Sequence, residues 1–330
     1  MEVAIWIKAL RTMPRLSPEQ WGRLDIVARW LVATRASVLM MTLSSALIGC
    51  LLAWRDGYVD WPLLLLVLLG LLFAHACNNL VNDFTDSMMG IDKDNYFRNQ
   101  YGVHVLEAGL VSRKNFLLYI LFTAAVALAA GAALVWLRGG LTPWLMFAGA
   151  FFVLFYTWPL KYIGLGEPAV LLVWGPLMIG GSYYVISGVW SWPVTLISLC
   201  YALGPTMVLF GKHIDKLEAD KAKGVRSLPV LLGFDRARQG VILMLGVQYA
   251  LAVVLCLAGI LLWPMLLVLA NLPLAWRVVG VFRNEKPDTM PAGFPEEVWP
   301  LWYAPFAFDH TRKFSAWFLL ALLMEIYLRA

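Results

Sequence analysis

The sequence predicts an all-α membrane protein, a bundle of nine transmembrane helices, and three observations support this fold class. Of the 330 residues, 61% are hydrophobic and only 14% are charged, and the mean hydropathy is +0.72. These values are typical of polytopic membrane proteins and exclude an ordinary soluble domain. Nine apolar segments are also long enough to cross the hydrocarbon core of a bilayer. Finally, the basic residues are distributed unequally between the loops.

The nine segments are predicted to be helices because a helix satisfies every backbone polar group of a lipid-exposed segment internally. Two of them, 142–158 and 264–282, are shorter than the rest. In chain order the predicted spans are 32–54, 62–84, 115–137, 142–158, 168–188, 193–214, 237–262, 264–282 and 312–329.

The placement of lysine and arginine predicts how the spans are oriented. With the N-terminus in the cytoplasm and the C-terminus outside, all of the 26 basic residues except Arg55, Arg138 and Arg329 fall on the cytoplasmic side. This bias obeys the positive-inside rule. The net charge of +5 is therefore a consequence of topology, with attraction to anionic lipid as a secondary effect. Nothing in the pattern indicates a nucleic-acid partner.

No linker divides the chain, so residues 1–330 are predicted to form a single transmembrane domain. Residues 1–31 are expected to be a cytoplasmic lead that lies at the membrane interface, and 283–311 a cytoplasmic loop to which the sequence assigns no role. The four cysteines lie within predicted spans and show no CxxC spacing. They are therefore predicted to be small core residues.

A first acidic cluster lies where the second predicted span meets its cytoplasmic loop. It contains Asn82, Asp83 and Asp86, followed by Gly90 and Asp92. Carboxylates beside hydrocarbon are costly and mark a functional site by default. Residues three or four positions apart share a helix face, and Gly90 can turn the backbone so that Asp92 returns to that face. We therefore predict that Asn82, Asp86 and Asp92 bind Mg²⁺.

A second acidic cluster follows the sixth predicted span. Asp215, Glu218 and Asp220 alternate here with Lys212 and Lys216. Two separate groups of oxygen ligands are typical of Mg²⁺ ions that share a polyphosphate. We predict that Asp215 and Asp220 bind metal, with Glu218 as a further candidate, and that Lys212 contacts phosphate oxygens. Arg226, in the following basic loop, is a second candidate for a phosphate contact.

Four motifs occur in an order that resembles the UbiA superfamily of intramembrane prenyltransferases, in the form of its 1,4-dihydroxy-2-naphthoate polyprenyltransferase branch. The resemblance covers roughly residues 30–235. The motifs are Asn82-Asp83-x-x-Asp86-x-x-x-Gly90-x-Asp92, Tyr156-Thr-Trp-Pro-Leu-Lys161 with Gly164-Leu-Gly-Glu167, Gly175-Pro-Leu-Met-Ile-Gly-Gly-Ser-Tyr-Tyr184, and Asp220-x-x-x-Gly224-x-Arg226-Ser227-Leu228-Pro229.

The chain departs from the family pattern at two positions. The family usually has an aspartate four residues before Asp220, where this chain has Lys216. Either Asp215 or Glu218 would then have to complete the second metal site. Arg35 matches an arginine that opens the first span and is usually followed by proline, whereas Ala36 follows it here.

The resemblance implies an enzyme that transfers a polyprenyl group from its diphosphate to a carbon of an aromatic acceptor. Asp86, Asp215 and Asp220 would be catalytic through Mg²⁺, and Arg35, Lys161, Lys212 and Arg226 would contact the diphosphate, with Tyr156 orienting the donor. His104 belongs to a loop that we expect to cap the site. Such an enzyme would lie in the bacterial inner membrane, among lipid, with its active site facing the cytoplasm.

Several alternatives stay open at this point. The expected acceptor is 1,4-dihydroxy-2-naphthoate in menaquinone-type quinone biosynthesis, and 4-hydroxybenzoate, a tocopherol-type phenol or another aromatic would suit the same chemistry. A cation-coupled transporter is an alternative of another class, although it would place ionisable residues near the bilayer midplane. A catalytically silent lipid-binding protein would not need both acidic clusters. The sequence specifies neither the donor chain length nor the oligomeric state.

Overall fold

The computed structural model describes residues 2–92 and 102–329. Nine helices form a bundle within these residues, and we number them in chain order. They are α1 (Ala36–Arg55), α2 (Trp61–Met88), α3 (Arg113–Arg138), α4 (Thr142–Phe155), α5 (Gly166–Ser187), α6 (Trp192–Asp215), α7 (Phe234–Leu257), α8 (Trp263–Arg283) and α9 (Tyr303–Arg329). The all-helical fold class is confirmed for the part of the chain that the structure describes.

Seven of these helices, all except α4 and α9, are long and apolar enough to cross a membrane. Helix α4 is apolar but has only 14 residues, which is about 21 Å against a hydrocarbon core of about 30 Å. Helix α9 has 27 residues and carries Asp309, Arg312 and Lys313 in its first half. The count of nine spans and the orientation of the termini therefore stay predictions.

Shorter helices lie outside the bundle at the end that carries the acidic clusters. Three precede α1, one follows α4, and two follow α6. They are Glu2–Arg11, Pro18–Gly22, Ile26–Ala33, the 3-10 turn Leu160–Ile163, Leu217–Ala222 and Leu228–Leu232. The lead predicted over residues 1–31 thus contains helical segments separated by short turns. Residues 93–101 of the predicted loop, with Lys93 and Arg98, lie outside the described residues.

Local sequence signals explain where several bundle helices begin. The side chains of Asp60, Ser112 and Ser191 accept hydrogen bonds from backbone N–H groups in the first turns of α2, α3 and α6. Such caps satisfy donors that have no partner inside the helix. Proline in the first turn of α2 and of α6 reinforces the start, because its missing N–H costs nothing there.

Helix α5 is widened in its middle. Residues Val173–Gly180 are π-helical, and Pro176 lies inside this segment. Proline has no N–H to donate, so the regular hydrogen-bond ladder is interrupted at this point. In the same segment, the carbonyl of Trp174 accepts a hydrogen bond from Ser45 Oγ of α1 at 3.2 Å. The widened turn faces a cavity that is described below.

Helices α6 and α9 approach each other very closely. A Cβ atom at Gly211 would lie 2.9 Å from backbone atoms of Ala304, so only glycine fits at that contact. This contact puts the end of α6 beside the beginning of α9. It also explains why α9 begins at Tyr303, within the segment 283–311 that the sequence predicted to be a loop.

The two ends of the bundle differ in composition. Arg55 donates to the Ile260 carbonyl at 3.3 Å and Arg138 to the Val185 carbonyl at 2.5 Å, both at the end opposite the acidic clusters. The basic residues predicted to be outside are therefore separated from the clusters by the length of the bundle.

At the other end, residues 284–302, which we call the strap, contact the N-terminal lead. Lys8 pairs with Glu297 at 2.7 Å, and Arg15 donates to the Trp299 carbonyl at 2.9 Å.

Candidate active site

A small polar pocket opens at the end of the bundle where α2 and α6 terminate. Residues near both predicted acidic clusters contribute to it, together with residues before α1 and after α4. Its lining residues are Arg35, Asn82, Asp83, Asp86, Asp92, Tyr156, Lys161, Lys212, His213 and Lys216. Seven of the eleven residues predicted for the site thus line one pocket, whereas Asp215, Glu218, Asp220 and Arg226 do not.

Helix α2 supplies most of the oxygen atoms of the pocket. Asn82, Asp83 and Asp86 are buried at its end, because the helix continues for one turn past its apolar stretch. Gly90 then adopts a left-handed conformation, with φ of 71°, and the chain turns back there. Asp92 consequently returns to the same pocket, as the spacing predicted.

The ammonium of Lys161 holds the carboxylate of Asp86. Lys161 Nζ donates to both Oδ1 and Oδ2 of Asp86 at 2.7 Å. Both side chains are nearly buried, at 4% and 11% exposure. A charge-assisted contact to both oxygens is one of the stronger polar interactions in a protein. The 3-10 turn Leu160–Ile163 therefore fixes the orientation of the central carboxylate of α2.

Arg35 joins the segment before α1 to α2. Its Nη2 donates to the Asn79 carbonyl at 3.1 Å and to Asn82 Oδ1 at 3.4 Å, and it pairs with Asp83 at 3.1 Å. Arg35 has φ of 55°, a left-handed conformation that costs free energy in a residue other than glycine. Strained residues of this kind cluster at functional sites. Its buried Nε makes no hydrogen bond within the described residues.

Asp92 is held by the loop that follows the first cluster. His104 Nε2 lies 2.9 Å from Asp92 Oδ2, and both residues are buried. The backbone N–H of Glu107 donates to His104 Nδ1 at 3.4 Å. Nδ1 is thus the acceptor, so the proton lies on Nε2, which donates to the carboxylate. This contact brings the loop against the pocket, where the sequence predicted a cap.

The three acids of the second cluster lie in three different environments. Asp220 is buried and accepts a hydrogen bond from Lys216 Nζ at 2.9 Å. Asp215 accepts hydrogen bonds from the backbone N–H groups of Trp302 and Tyr303 at 2.9 Å and of Ala304 at 3.0 Å. It therefore caps α9. Glu218 is exposed. Asp215 therefore lies against the start of α9 and outside the lining of the pocket, and its binding of metal stays a prediction.

Only some of the residues predicted to contact the diphosphate line the pocket. Lys212 and Tyr156 line the pocket, whereas Arg226 is exposed and lies outside the lining. Burial raises the pKa of Tyr162, which follows Lys161, and the carboxylate of Asp86 raises it further.

The sequence did not indicate a buried contact between Glu167 and His213 at the pocket. Glu167, at the start of α5, contacts His213 Nδ1 of α6 through Oε1 and accepts a hydrogen bond from the Leu228 N–H at 3.2 Å through Oε2. Both members of the pair are buried. Glu167 closes the Gly164–Glu167 motif, which is the only sequence signal that marks it. It positions the end of α6 against the chain after residue 227.

Two apolar cavities continue from the polar pocket into the bundle. The first, of about 100 Å³, is reached at Tyr156, which lines both spaces, and is bordered by the widened turn of α5. The second, of about 260 Å³, lies between α2, α3, α4 and α5. Leu71, Ala74, Leu145, Gly149, Val153 and Leu177 line both cavities. The polar pocket and the two cavities therefore adjoin one another in series, and this series, which we call the tail path, suits a molecule with an anionic head and an apolar tail.

The first cluster fits a Mg²⁺ ion better than the second. No group of three or more Asp, Glu, His or Cys side chains within the described ranges could hold a metal alone. Mg²⁺, however, takes one or two carboxylates and completes its shell with water and phosphate. Asn82, Asp86 and Asp92 direct this type of oxygen ligand at one pocket. The acids of the second cluster, Asp215, Glu218 and Asp220, lie outside the lining of this pocket.

Comparisons with known proteins identify one family. The UbiA prenyltransferase family model matches residues 42–294. The chain is 26% identical over 271 residues to the 1,4-dihydroxy-2-naphthoate octaprenyltransferase of Escherichia coli, covering 79% of this chain and 87% of that protein. It is 28% identical over 258 residues to the 2-carboxy-1,4-naphthoquinone phytyltransferase of Synechocystis, covering 76% and 81%.

A solved structure shares the fold. It is a UbiA homolog from Archaeoglobus fulgidus bound to GPP and Mg²⁺, with a TM-score of 0.56 and 18% identity, over 88% of this chain and 98% of that one. The family match extends over more than half of the sequence and includes most of the pocket. The chain is therefore a prenyltransferase and belongs to the UbiA prenyltransferase family.

Proposed function

We propose that this enzyme transfers a polyprenyl group from polyprenyl diphosphate to 1,4-dihydroxy-2-naphthoate in quinone biosynthesis, with Mg²⁺ as cofactor. The names of both relatives support a naphthalene-derived acceptor. The name of the structural neighbour, bound to GPP and Mg²⁺, supports a prenyl diphosphate donor and the metal.

One observation carries the proposal, namely the path from the polar pocket into the apolar cavities. A diphosphate in the pocket would meet Lys161, Lys212 and Arg35, while an isoprenoid tail would lie in cavities lined by apolar side chains of α2 to α5. Burying apolar tail surface stabilises the complex by about 25 cal/mol per Å². A site for a coupling cation alone would not need these cavities.

The residues of the pocket have distinct proposed roles. Asn82, Asp86 and Asp92 hold Mg²⁺, which when bound neutralises charge on the leaving diphosphate. Lys161, Lys212 and Arg35 donate to phosphate oxygens, and Arg35 Nε is a donor that makes no other hydrogen bond within the described residues. Tyr156 orients the donor at the boundary between the pocket and the first cavity.

The reaction follows from this arrangement. The allylic C–O bond breaks, and its electron pair leaves with the diphosphate, whose charge the basic residues stabilise. The allylic cation remains at the boundary near Tyr156, where an aromatic face stabilises positive charge. A carbon of the acceptor ring then bonds to the allylic carbon. The ring becomes aromatic again when the group at that carbon leaves as a proton, or as CO₂ from a carboxylate, and its bonding electrons stay with the ring.

The location of the site belongs to the same proposal. We infer one nine-span domain with the N-terminus and the polar pocket on the cytoplasmic side of a bacterial inner membrane, in accordance with the positive-inside rule. Cysteines introduced singly at Glu107 and Tyr58 test this orientation. A membrane-impermeant maleimide added to intact cells should label the second and not the first, and the reverse pattern would refute the orientation.

A direct assay tests the function. Purified full-length protein in lipid nanodiscs is incubated with Mg²⁺, geranylgeranyl diphosphate and a panel of acceptors that includes 1,4-dihydroxy-2-naphthoate and 4-hydroxybenzoate, and products are identified by mass spectrometry. We expect the prenylated naphthalene product, and no product after chelation with EDTA or in Asp86→Ala. Prenylation of 4-hydroxybenzoate alone would overturn the acceptor. Absence of every product would overturn the proposal.

A further inference from the structure

The contact between Lys161 and Asp86 is incompatible with the roles that the proposed function gives them. Under that function, Asp86 binds Mg²⁺ and Lys161 donates to phosphate oxygens. Lys161 Nζ donates to both Oδ1 and Oδ2 of Asp86 at 2.7 Å, so both carboxylate oxygens face one ammonium. A Mg²⁺ ion on either oxygen would lie beside that ammonium, where the two positive charges repel. The pair must therefore separate before Asp86 binds a metal.

The rest of the pocket lining also has to rearrange when a diphosphate binds. Within the residues that the structure describes, each carboxylate of the lining contacts a basic side chain. Arg35 pairs with Asp83 at 3.1 Å, and His104 Nε2 lies 2.9 Å from Asp92. The pocket has a volume of about 20 Å³, which is room for about one water molecule. A diphosphate is much larger, so side chains of the lining move when it enters.

Lys161 is the member of its pair that is free to move. Asp86 is fixed on α2 by a short side chain, whereas the Lys161 ammonium is carried by a flexible four-carbon stem on the turn Leu160–Ile163. The ring of Tyr162, whose centroid is 5.4 Å from Lys161 Nζ, stabilises the ammonium by a cation–π contact. A diphosphate carries more negative charge than one carboxylate and offers several acceptor oxygens. It therefore competes with Asp86 for the Lys161 ammonium.

We propose that Lys161 couples the binding of metal and diphosphate: its ammonium occupies the Asp86 carboxylate until a diphosphate accepts it, and Asp86 then binds Mg²⁺. This inference rests on the proposed function, since it assumes that the pocket binds both ligands. Coupling of this kind is reciprocal, so the metal raises diphosphate affinity by the same factor as diphosphate raises metal affinity. The enzyme therefore binds Mg²⁺ weakly when no diphosphate is present.

Mn²⁺ binding tests the proposal without catalysis. Full-length protein in nanodiscs is titrated with Mn²⁺ alone and with Mn²⁺ plus inorganic pyrophosphate. Bound Mn²⁺ is measured against free Mn²⁺ by equilibrium dialysis and electron paramagnetic resonance. In the wild type, pyrophosphate should raise Mn²⁺ affinity at least about tenfold. Lys161→Met should bind Mn²⁺ alone at least about tenfold more tightly than the wild type, because Asp86 has lost the competing ammonium, and pyrophosphate should then raise the affinity much less.

Three further variants separate this coupling from a general effect of charge. Lys212→Met removes a charge from the same lining and leaves the pair of Lys161 with Asp86 in place, so it should raise the affinity for Mn²⁺ alone less than Lys161→Met does. Lys221→Met removes an exposed charge outside the lining and should leave this affinity unchanged. The gain in Lys161→Met should disappear when Asp86→Asn is added.

Each outcome decides between the two proposals. Wild-type protein that binds Mn²⁺ equally well with and without pyrophosphate would overturn the inference and leave the proposed function intact. A folded Lys161→Met variant with wild-type Mn²⁺ affinity, or an equal gain in Lys212→Met, would overturn the assignment to Lys161. If thermal unfolding shows that Lys161→Met is not folded, Lys161→Gln, whose amide still donates N–H bonds, replaces it with the same expected direction. No Mn²⁺ binding under either condition would overturn both proposals.

Discussion

The ion pair between Lys161 and Asp86 shows how single residues make this pocket stable. Two charges with 4% and 11% exposure at the edge of the hydrocarbon have lost most of their hydration. Each compensates the other only because Lys161 Nζ reaches both carboxylate oxygens at 2.7 Å. Removing one partner of such a pair leaves an uncompensated buried charge, which costs more than removing both.

This asymmetry gives a prediction about stability. Lys161→Met should lower the free energy of unfolding by about 3–5 kcal/mol, whereas the double variant Lys161→Met with Asp86→Asn should recover much of that loss. Neither variant should form product, because both lack the proposed contact between Lys161 and the diphosphate. Thermal unfolding in nanodiscs and single-turnover product formation measure the two effects. A double variant less stable than Lys161→Met would contradict the argument.

At the same scale, the sequence indicated which residues line the pocket but not their partners. Arg35 was expected to contact diphosphate, and the structure adds that it pairs with Asp83, 48 positions further along the chain. His213 and Glu167 are likewise separated by 46 positions. A spacing pattern reports only contacts within one helix, so pairs that join different helices cannot be found in this way.

At the scale of elements, the contact between α6 and α9 determines which groups surround Asp215 of the second acidic cluster. Gly211 lets the two helices touch backbone to backbone, and Asp215 then caps α9 from the end of α6. A capping carboxylate stabilises a helix start by satisfying N–H groups and by its charge. The strap ends at the same junction, since the N–H of Trp302, its last residue, donates to Asp215 Oδ1 at 2.9 Å.

The cap can be distinguished from a metal ligand by substitution. Asp215→Ala should lower the free energy of unfolding by about 1–2 kcal/mol, and Asp215→Asn by less, because an amide oxygen still accepts N–H bonds. Mn²⁺ stoichiometry with pyrophosphate should not change in either variant. Glu218→Gln, at the exposed site, should alter neither quantity. A stable Asp215→Asn variant that loses bound Mn²⁺ would restore the role that the sequence predicted.

At the scale of the whole molecule, apolar cavities lie between α2, α3, α4 and α5, and under the proposed function they hold the prenyl tail of the donor. Gly149 on α4 lines both cavities, and a Cβ there would meet no atom within 4 Å. A larger side chain at this position would therefore occupy the tail path and not displace the neighbouring helices.

A large side chain in the tail path should make the enzyme prefer a donor with a shorter prenyl chain. Gly149→Phe is expected to reduce activity with geranylgeranyl diphosphate by about tenfold or more, since overpacking of this kind costs about 1–3 kcal/mol, and to retain activity with dimethylallyl diphosphate. Gly246→Phe on the exposed face of α7, where a Cβ also meets nothing within 4 Å, is the matched control. Equal loss with both donors in Gly149→Phe would refute the proposed tail path.

The sequence by itself determined the all-helical fold, the approximate positions of the helices, and the polar residues of α2, Tyr156 and Lys161 that line the pocket. These features depend on apolar length and on helix periodicity, which are local properties of the chain. Only the tertiary structure decided that Asp215 caps α9, that Lys216 lies in the pocket against Asp220, and that Arg226 is exposed. Those outcomes depend on which helices approach each other, and close contacts such as that of Gly211 with Ala304 are set by packing across the bundle.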